Sequence, residues 1–332
     1  MTRRLLILYT GGTLGMVPSP EGLVPGHRLD ERLRTQLAQL PSARQRALPS
    51  WHMASTDIPI DSSSATPQHW QALAALIRSY AHDDRIMGVV VLHGTDTMAW
   101  CSAFLSVWLE DYHCPIIVTG AQLPLEAEGS DACLNVELAM RYAAHPDARG
   151  VMLAFGGQLL QGDAARKWYT EDHQGFKTPN APRLAYWPID QRDSSILPPP
   201  RAIGLCPARQ HVTEALHLKK GRPDTLPRLA RIVLWPGIEP SHVEALLMQA
   251  DVAVIEVWGS GNLPDNTVLH QVLAQAAQQG KRLIAISQCP YGSTHIGVYA
   301  AGKALKAAGV IEGETLTPEL AAALLLASHS HA

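Results

Sequence analysis

"LLILYTGGTLGM", Leu5 to Met16, decides how the rest of the chain is read. The run Leu5-Leu6-Ile7-Leu8-Tyr9 is apolar at every position, as a parallel strand buried on both faces requires. Two adjacent glycines, Gly11 and Gly12, end it, because they accept backbone angles that a side chain forbids. Thr13 follows. A hydroxyl just past the carboxyl end of a strand stands where open α/β sheets take their ligands. Read by itself, the same threonine serves equally well as a cap for the next segment.

Six further runs share that strand character: Gly88–Leu92, Pro115–Thr119, Val151–Phe155, Ile232–Trp235, Val252–Val257 and Leu283–Ser287. Between them the apolar spacing predicts helices at His69–Ala81, Met98–Tyr112, Ala132–Ala144, His242–Gln249, Thr267–Gln279 and Tyr299–Ala308. Strands alternating with helices indicate an α/β chain with parallel sheets and covering helices. The alternation lapses from about Pro188 to Pro227, where Pro198-Pro199-Pro200, Pro207, Pro223 and Pro227 deny the ladder its donors. The expectation is an N-terminal α/β domain over residues 1–190 with an open, mostly parallel sheet. A Pro-rich linker over 191–227 and a smaller C-terminal α/β domain over 228–332 follow.

A chain of 332 residues with 46% hydrophobic and 17% charged residues has the balance of a folded enzyme rather than a disordered one. A net charge of −3 leaves no basic footprint, so no nucleic-acid partner is expected. No apolar run reaches membrane-spanning length, so no membrane partner is expected either. The opening Met1-Thr2-Arg3-Arg4 and its apolar run look superficially like a signal peptide, but the run is short and meets Gly11-Gly12 without a small-x-small cleavage site. It is read as the first strand. Five cysteines, an odd number with no C-x-x-C pair, argue against a disulfide framework and a zinc site. A reducing, cytoplasmic location fits them. The 15 histidines show no H-E-x-x-H spacing, and no G-x-G-x-x-G loop occurs, so neither a metal nor an organic cofactor is expected.

The first turn has counterparts. Val89–Leu92 runs into His93-Gly94-Thr95-Asp96-Thr97, again a glycine and a threonine past a strand's end, and an apolar helix starts at Met98. Thr95 or Asp96 would suit as that helix's N-cap, and a helix N-terminus also offers N–H groups to an anion. "DSSSA" (Asp61 to Ala65) sets a carboxylate beside three hydroxyls ahead of Pro67. "TGAQLP" (Thr119 to Pro124) and "GDAARK" (Gly162 to Lys167) follow later strands. Five polar turns at strand ends in one half of the chain exceed what capping needs.

With TGGT, the H-G-T-D-T turn, T-G-A-Q and an Arg-Lys pair on the page, the sequence resembles the asparaginase family, over nearly its whole length and including "GSGN" (Gly259 to Asn262). The D-S-S loop is most similar to the family's type I, cytoplasmic branch. The resemblance implies hydrolysis of the side-chain amide of L-asparagine to L-aspartate and ammonia, with Thr13 as the nucleophile that forms an acyl-enzyme. It implies that Thr95, Asp96 and Lys167 complete the catalytic set. It also implies that Asp61, Ser62, Ser63, Gly94 and Ala121 line the substrate pocket, and that Asn262 reaches the site of a neighbouring subunit in a dimer or tetramer. The residue types suit that chemistry. A threonine hydroxyl is a poor nucleophile without a base. Lys167 can be that base only when its Nζ is neutral; burial would favour this and Asp96 would oppose it, and the sequence leaves both open. A zwitterionic substrate needs an anion for its ammonium, Asp96 or Asp61, and donors for its carboxylate, Ser62 and backbone N–H groups.

Two positions depart from the family's pattern. Leu23 stands where members carry a tyrosine on the loop after the first threonine, and Ser64-Ala65 replaces an aspartate and a methionine. A broader amidase that takes glutamine or a D-isomer, and a module that binds asparagine without turnover, are the competing readings.

Overall fold

Largely apolar runs become the interior parallel strands of two sheets. The computed structural model describes residues 3–56, 60–187, 197–204, 206–218, 222–298 and 300–328, in two compact units of residues 1–203 and 204–332. The first unit runs β1 (Arg4–Tyr9), β2 (Met16–Ser19), β3 (Gly22–Pro25), α1 (Leu29–Leu37), α2 (Ser42–Ala47), β4 (Trp51–Ser55), α3 (Pro67–Ser79), β5 (Ile86–Leu92), α4 (Met98–Trp108), β6 (Ile116–Thr119) and α5 (Ala132–Ala143). It continues with β7 (Val151–Phe155), β8 (Gln158–Gln161), β9 (Arg166–Lys167), β10 (Phe176–Lys177) and β11 (Ala185–Tyr186).

The large sheet has the order β11-β8-β7-β6-β5-β1-β4. β4, β1, β5, β6 and β7 are parallel, and β8 turns back antiparallel beside β7. This is the open, mostly parallel α/β sheet expected from the sequence. Successive strand residues point to opposite faces. Leu5, Ile7 and Tyr9 share one core with Val90, Leu92, the Leu29-Leu33-Leu37 stripe of α1 and the buried face of α5. On α3 and α4, Trp70 meets Phe104 at a tilt, and Phe104 stacks on Trp108 with centroids 3.8 Å apart.

Glu137 of α5 is fully buried and is held by the guanidiniums of Arg44, on α2, and Arg141, one turn along. Both cations lie over the Trp187 ring, at 5.4 and 4.9 Å. Removing the carboxylate takes from two buried cations the anion they share. Glu137→Ala is therefore expected to lower unfolding stability by about 3–5 kcal/mol. Urea unfolding checks this, and a loss below about 1 kcal/mol would show that the cations find other compensation.

The second unit contains α6 (Pro207–Ala215), β12 (Leu229–Val233), α7 (Pro240–Gln249), β13 (Val252–Val257), α8 (Thr267–Gln278), β14 (Arg282–Ser287), α9 (Ala300–Ala307), β15 (Ile311–Glu312) and α10 (Pro318–Leu326). Its sheet, β12-β13-β14-β15, is wholly parallel. Every residue of α10 is buried against strands that include β13 and β14. Past Glu319 in its first turn the helix is apolar on every side and shows no 3.6-residue stripe, which is why the sequence does not announce it.

Part of the stretch read as linker is a helix. Pro207 occupies a first-turn position of α6, where a missing N–H costs nothing, and Ala208 and Val212 bury one face. Proline density alone therefore does not mark 207–215 as linker; residues 191–196, also within the expected linker, lie outside the described residues. All five cysteines are free thiols. Among the described residues, no helix is long and apolar enough to cross a membrane, and no group of three or more His, Cys, Asp or Glu could hold a metal ion.

Candidate active site

Packing explains the two glycines of Gly11-Gly12-Thr13. Both glycines have positive φ, 118° and 100°. A Cβ on Gly12 would lie 2.5 Å from the Cα of Gly94, so the turn after β1 presses directly on the turn after β5. A Cβ on Gly94 would collide with the Ser62 hydroxyl. Three turns, 11–13, 61–64 and 93–96, thus meet through bare backbone at the carboxyl end of the parallel strands.

Thr13 opens a single 3₁₀ turn, Thr13–Gly15, and is half-buried. Thr95 is buried and Asp96 exposed. Neither caps α4, whose N-cap is Thr97. The Thr97 hydroxyl instead donates to the Ser62 carbonyl at 2.8 Å, binding the turn after β5 to the Asp61–Ser64 turn. Asp61 caps its own turn, its carboxylate accepting from the Ser63 N–H at 3.0 Å; Ser62 is buried and Ser63 exposed. His93 is buried, and its Nδ1 lies 2.8 Å from the Gly94 carbonyl. A carbonyl only accepts, so Nδ1 carries the proton. Burial pushes the imidazole below its ordinary pKa, which keeps it neutral, as a brace for Gly94 rather than a charged group.

Lys167 arrives from a different part of the chain. It sits on the β9–β10 hairpin, opposite Phe176. Its Nζ donates to Thr95 Oγ1 at 3.0 Å and to Asp96 Oδ1 at 2.7 Å. A lysine so placed can pass a proton to or from a threonine hydroxyl, while the carboxylate orients the amine. Ala121 is buried in the turn after β6. Asn262 belongs to the second unit, where its backbone closes a bridge with Trp258.

Residues 4–197 match the family described as "Asparaginase, N-terminal", and residues 228–331 match the "Glutaminase/Asparaginase C-terminal domain". The chain belongs to the asparaginase family. This asparaginase-family chain is 34% identical over 320 residues to L-asparaginase 1 of Escherichia coli (strain K12), covering 96% of the chain and 89% of that protein. It is 33% identical over 342 residues to the 60 kDa lysophospholipase of Mus musculus, covering 97% of the chain but 58% of that longer protein. Among solved structures it resembles L-asparaginase I from Vibrio cholerae O1 biovar eltor str. N16961, with a TM-score of 0.77 and 30% identity over 98% of this chain and 92% of that one. Membership makes the chain a hydrolase of amide bonds.

In this asparaginase-family chain, two side chains that the sequence does not single out, Asp131 and Asn135, hold the Ala121 turn, and Gln122 of the T-G-A-Q turn reaches the hairpin of Lys167. The buried Asp131 carboxylate accepts from the N–H groups of Gln122 and Leu123, each at 3.0–3.2 Å. Asn135 donates to the Gly120 carbonyl at 3.0 Å and accepts from the Gly156 N–H at 2.9 Å, joining the turns after β6 and β7. Gln122 donates to the carbonyls of Thr170 and Asp172 at 3.2 and 3.1 Å, pinning the tip of the hairpin that carries Lys167. The Asp-x-x-x-Asn spacing on one helix face is the only trace of this support in the sequence.

Proposed function

We propose that this chain hydrolyses the side-chain amide of L-asparagine to L-aspartate and ammonia through a Thr13 acyl-enzyme. The observation that carries the reading is the Lys167 amine held between Thr95 Oγ1 and Asp96 Oδ1, on a turn in contact with the turn of Thr13. Thr13 Oγ1 attacks the amide carbon and loses its proton. The C–N bond breaks, the nitrogen leaves as ammonia after taking up a proton through the Thr95–Lys167 pair, and water then cleaves the Thr13 ester. Asp61, which caps its own turn, and Asp96, which pairs with Lys167, are the anions for the substrate's ammonium. Ser62, Ser63 and the N–H groups near Thr13, Gly94 and Thr95 receive the carboxylate and the developing oxyanion, and Ala121 lines the pocket.

Homologues named L-asparaginase support this substrate. Ammonia release from asparagine, glutamine and their D-isomers, assayed side by side, tests it. Turnover of L-asparagine at a kcat/KM well above the others is expected, and none would overturn it. Asn262 completes the site of a neighbouring subunit in the proposed homo-oligomer, a dimer or tetramer, in the cytoplasm. Dimers or tetramers by analytical ultracentrifugation, and activity loss in Asn262→Ala with assembly intact, are the expected results. The proposed domain limits, 1–190 and 228–332 around a 191–227 connection, await limited proteolysis.

Leu23 lies on the β2–β3 hairpin opposite Pro18 and is 48% exposed. It can pack but has no hydroxyl to donate. Leu23→Tyr is expected to raise kcat for asparagine about tenfold, the worth of one hydrogen bond to developing charge, with KM little changed. Tyr169, whose hydroxyl accepts from Lys177 Nζ at 2.9 Å, is the rival source of that hydroxyl; Tyr291 lies in the second unit. An unchanged kcat in Leu23→Tyr together with a loss in Tyr169→Phe would assign the role to Tyr169.

A further inference from the structure

One cation grips both the turn that carries Thr13 and the hairpin that follows it. Arg32, on α1, donates from Nη1 to the Gly15 carbonyl at 2.9 Å and from Nη2 to the Met16 carbonyl at 3.3 Å. Its Nε and Nη2 hold the Glu126 carboxylate at 2.7 and 2.5 Å. Glu126 belongs to the loop after β6, and its neighbour Leu125 donates its N–H to the Leu14 carbonyl at 3.1 Å. The carbonyls of residues 14, 15 and 16 are therefore all tied down within three residues of Thr13. The Gly15 carbonyl also accepts from the Gly26 N–H at 3.0 Å, which closes the base of the β2–β3 hairpin. On the other side, a Cβ on Gly15 would collide with the Tyr9 hydroxyl.

We infer that Arg32, held in place by Glu126, is a positioning residue for Thr13: it fixes the turn that aims the attacking hydroxyl and anchors the hairpin base to it. The inference rests on the reading of Thr13 as nucleophile. An arginine is required because the planar fork meets two carbonyls and a carboxylate at once, which a single ammonium cannot span. The pair is partly exposed, with side chains 18% and 40% accessible, so its ionic attraction adds only modestly to global stability. Its effect falls on geometry, where a misplacement of about 1 Å is enough to lower a rate on the order of a hundredfold.

The test uses Arg32→Ala, Arg32→Lys, Glu126→Gln and Glu126→Ala in the full chain. Arg32→Ala is expected to lower kcat for asparagine about ten- to a hundredfold, with KM within about twofold and the melting temperature within about 3 °C. Arg32→Lys recovers only part of the loss, and Glu126→Gln, which keeps one acceptor oxygen, loses less than Glu126→Ala. Amide hydrogen exchange at Gly26 and Leu125 should quicken in Arg32→Ala. Parental kcat in folded Arg32→Ala, or unaltered exchange at both amides, overturns the inference. Exchange reads the clamp whatever the substrate is. If the parent releases no ammonia from asparagine while exchange still quickens in the variant, the clamp stands and the assignment of Thr13 falls.

Discussion

Thr13→Ala is expected to lower ammonia release from asparagine by on the order of a thousandfold or more, about 4 kcal/mol of transition-state stabilisation, without unfolding the protein. The hydroxyl is the only group the reading places on the reacting carbon. Its backbone is set by neighbours rather than by its own side chain: Gly12 against Gly94 on one side and the Gly15–Gly12 hydrogen bond of 3.1 Å on the other. The side chain is half-buried, and the strand beneath it, Leu5 to Tyr9, is untouched by the change. Thr13→Val keeps the β-branched shape and is expected to fail as completely. Thermal melts of both variants within a few degrees of the parent, beside steady-state kinetics, separate chemistry from folding. Near-parental kcat in a folded Thr13→Val would remove Thr13 from the mechanism.

Lys167→Met is the second large loss, about a hundred- to ten-thousandfold in kcat, because a methionine fills the space but moves no proton. The Lys167–Asp96 pair looks like a structural salt bridge, so a purely structural outcome must be distinguished. Asp96 is 59% accessible and Lys167 24%, and exposed pairs of this kind contribute only about 0–1 kcal/mol. Stability should therefore scarcely change while turnover collapses. A fall below about tenfold, roughly 1.4 kcal/mol, would make Lys167 a support for the Thr95 turn rather than a proton carrier.

Much of this protein is legible in its sequence. Leu5–Tyr9 is apolar without interruption and becomes β1, which adds only Arg4 at its start, because a strand buried on both faces favours apolar residues. Val252–Val257 becomes β13 with those limits, and its one charge, the buried Glu256, is paired with Arg231. Helix ends shift more. α3 begins at Pro67 instead of His69, since proline is favoured in a first helical turn. Strand β12 covers Leu229–Val233 rather than Ile232–Trp235: it carries Arg231 and an exposed Val233, as a sheet edge allows, so the apolar run misplaces it. β4 is missed for a similar reason. "WHMAS" mixes polar and apolar residues at the other sheet's edge.

What the sequence by itself determined is where each polar turn lies: a glycine after an apolar strand forces a turn, and a parallel sheet collects such turns at one end. What only the tertiary structure decided is which of them touch. Lys167 looks like any solvated lysine until a separation of 72 residues is closed to Thr95 and one of 71 to Asp96. Asp131 and Asn135 leave only their spacing as a trace, and Arg32 and Glu126 leave none, because their partners lie on turns brought near by strand order. Periodicity is a property of neighbours along the chain. Hydrogen bonds across a sheet depend on which strands lie side by side, and that is set by the packing of the whole core.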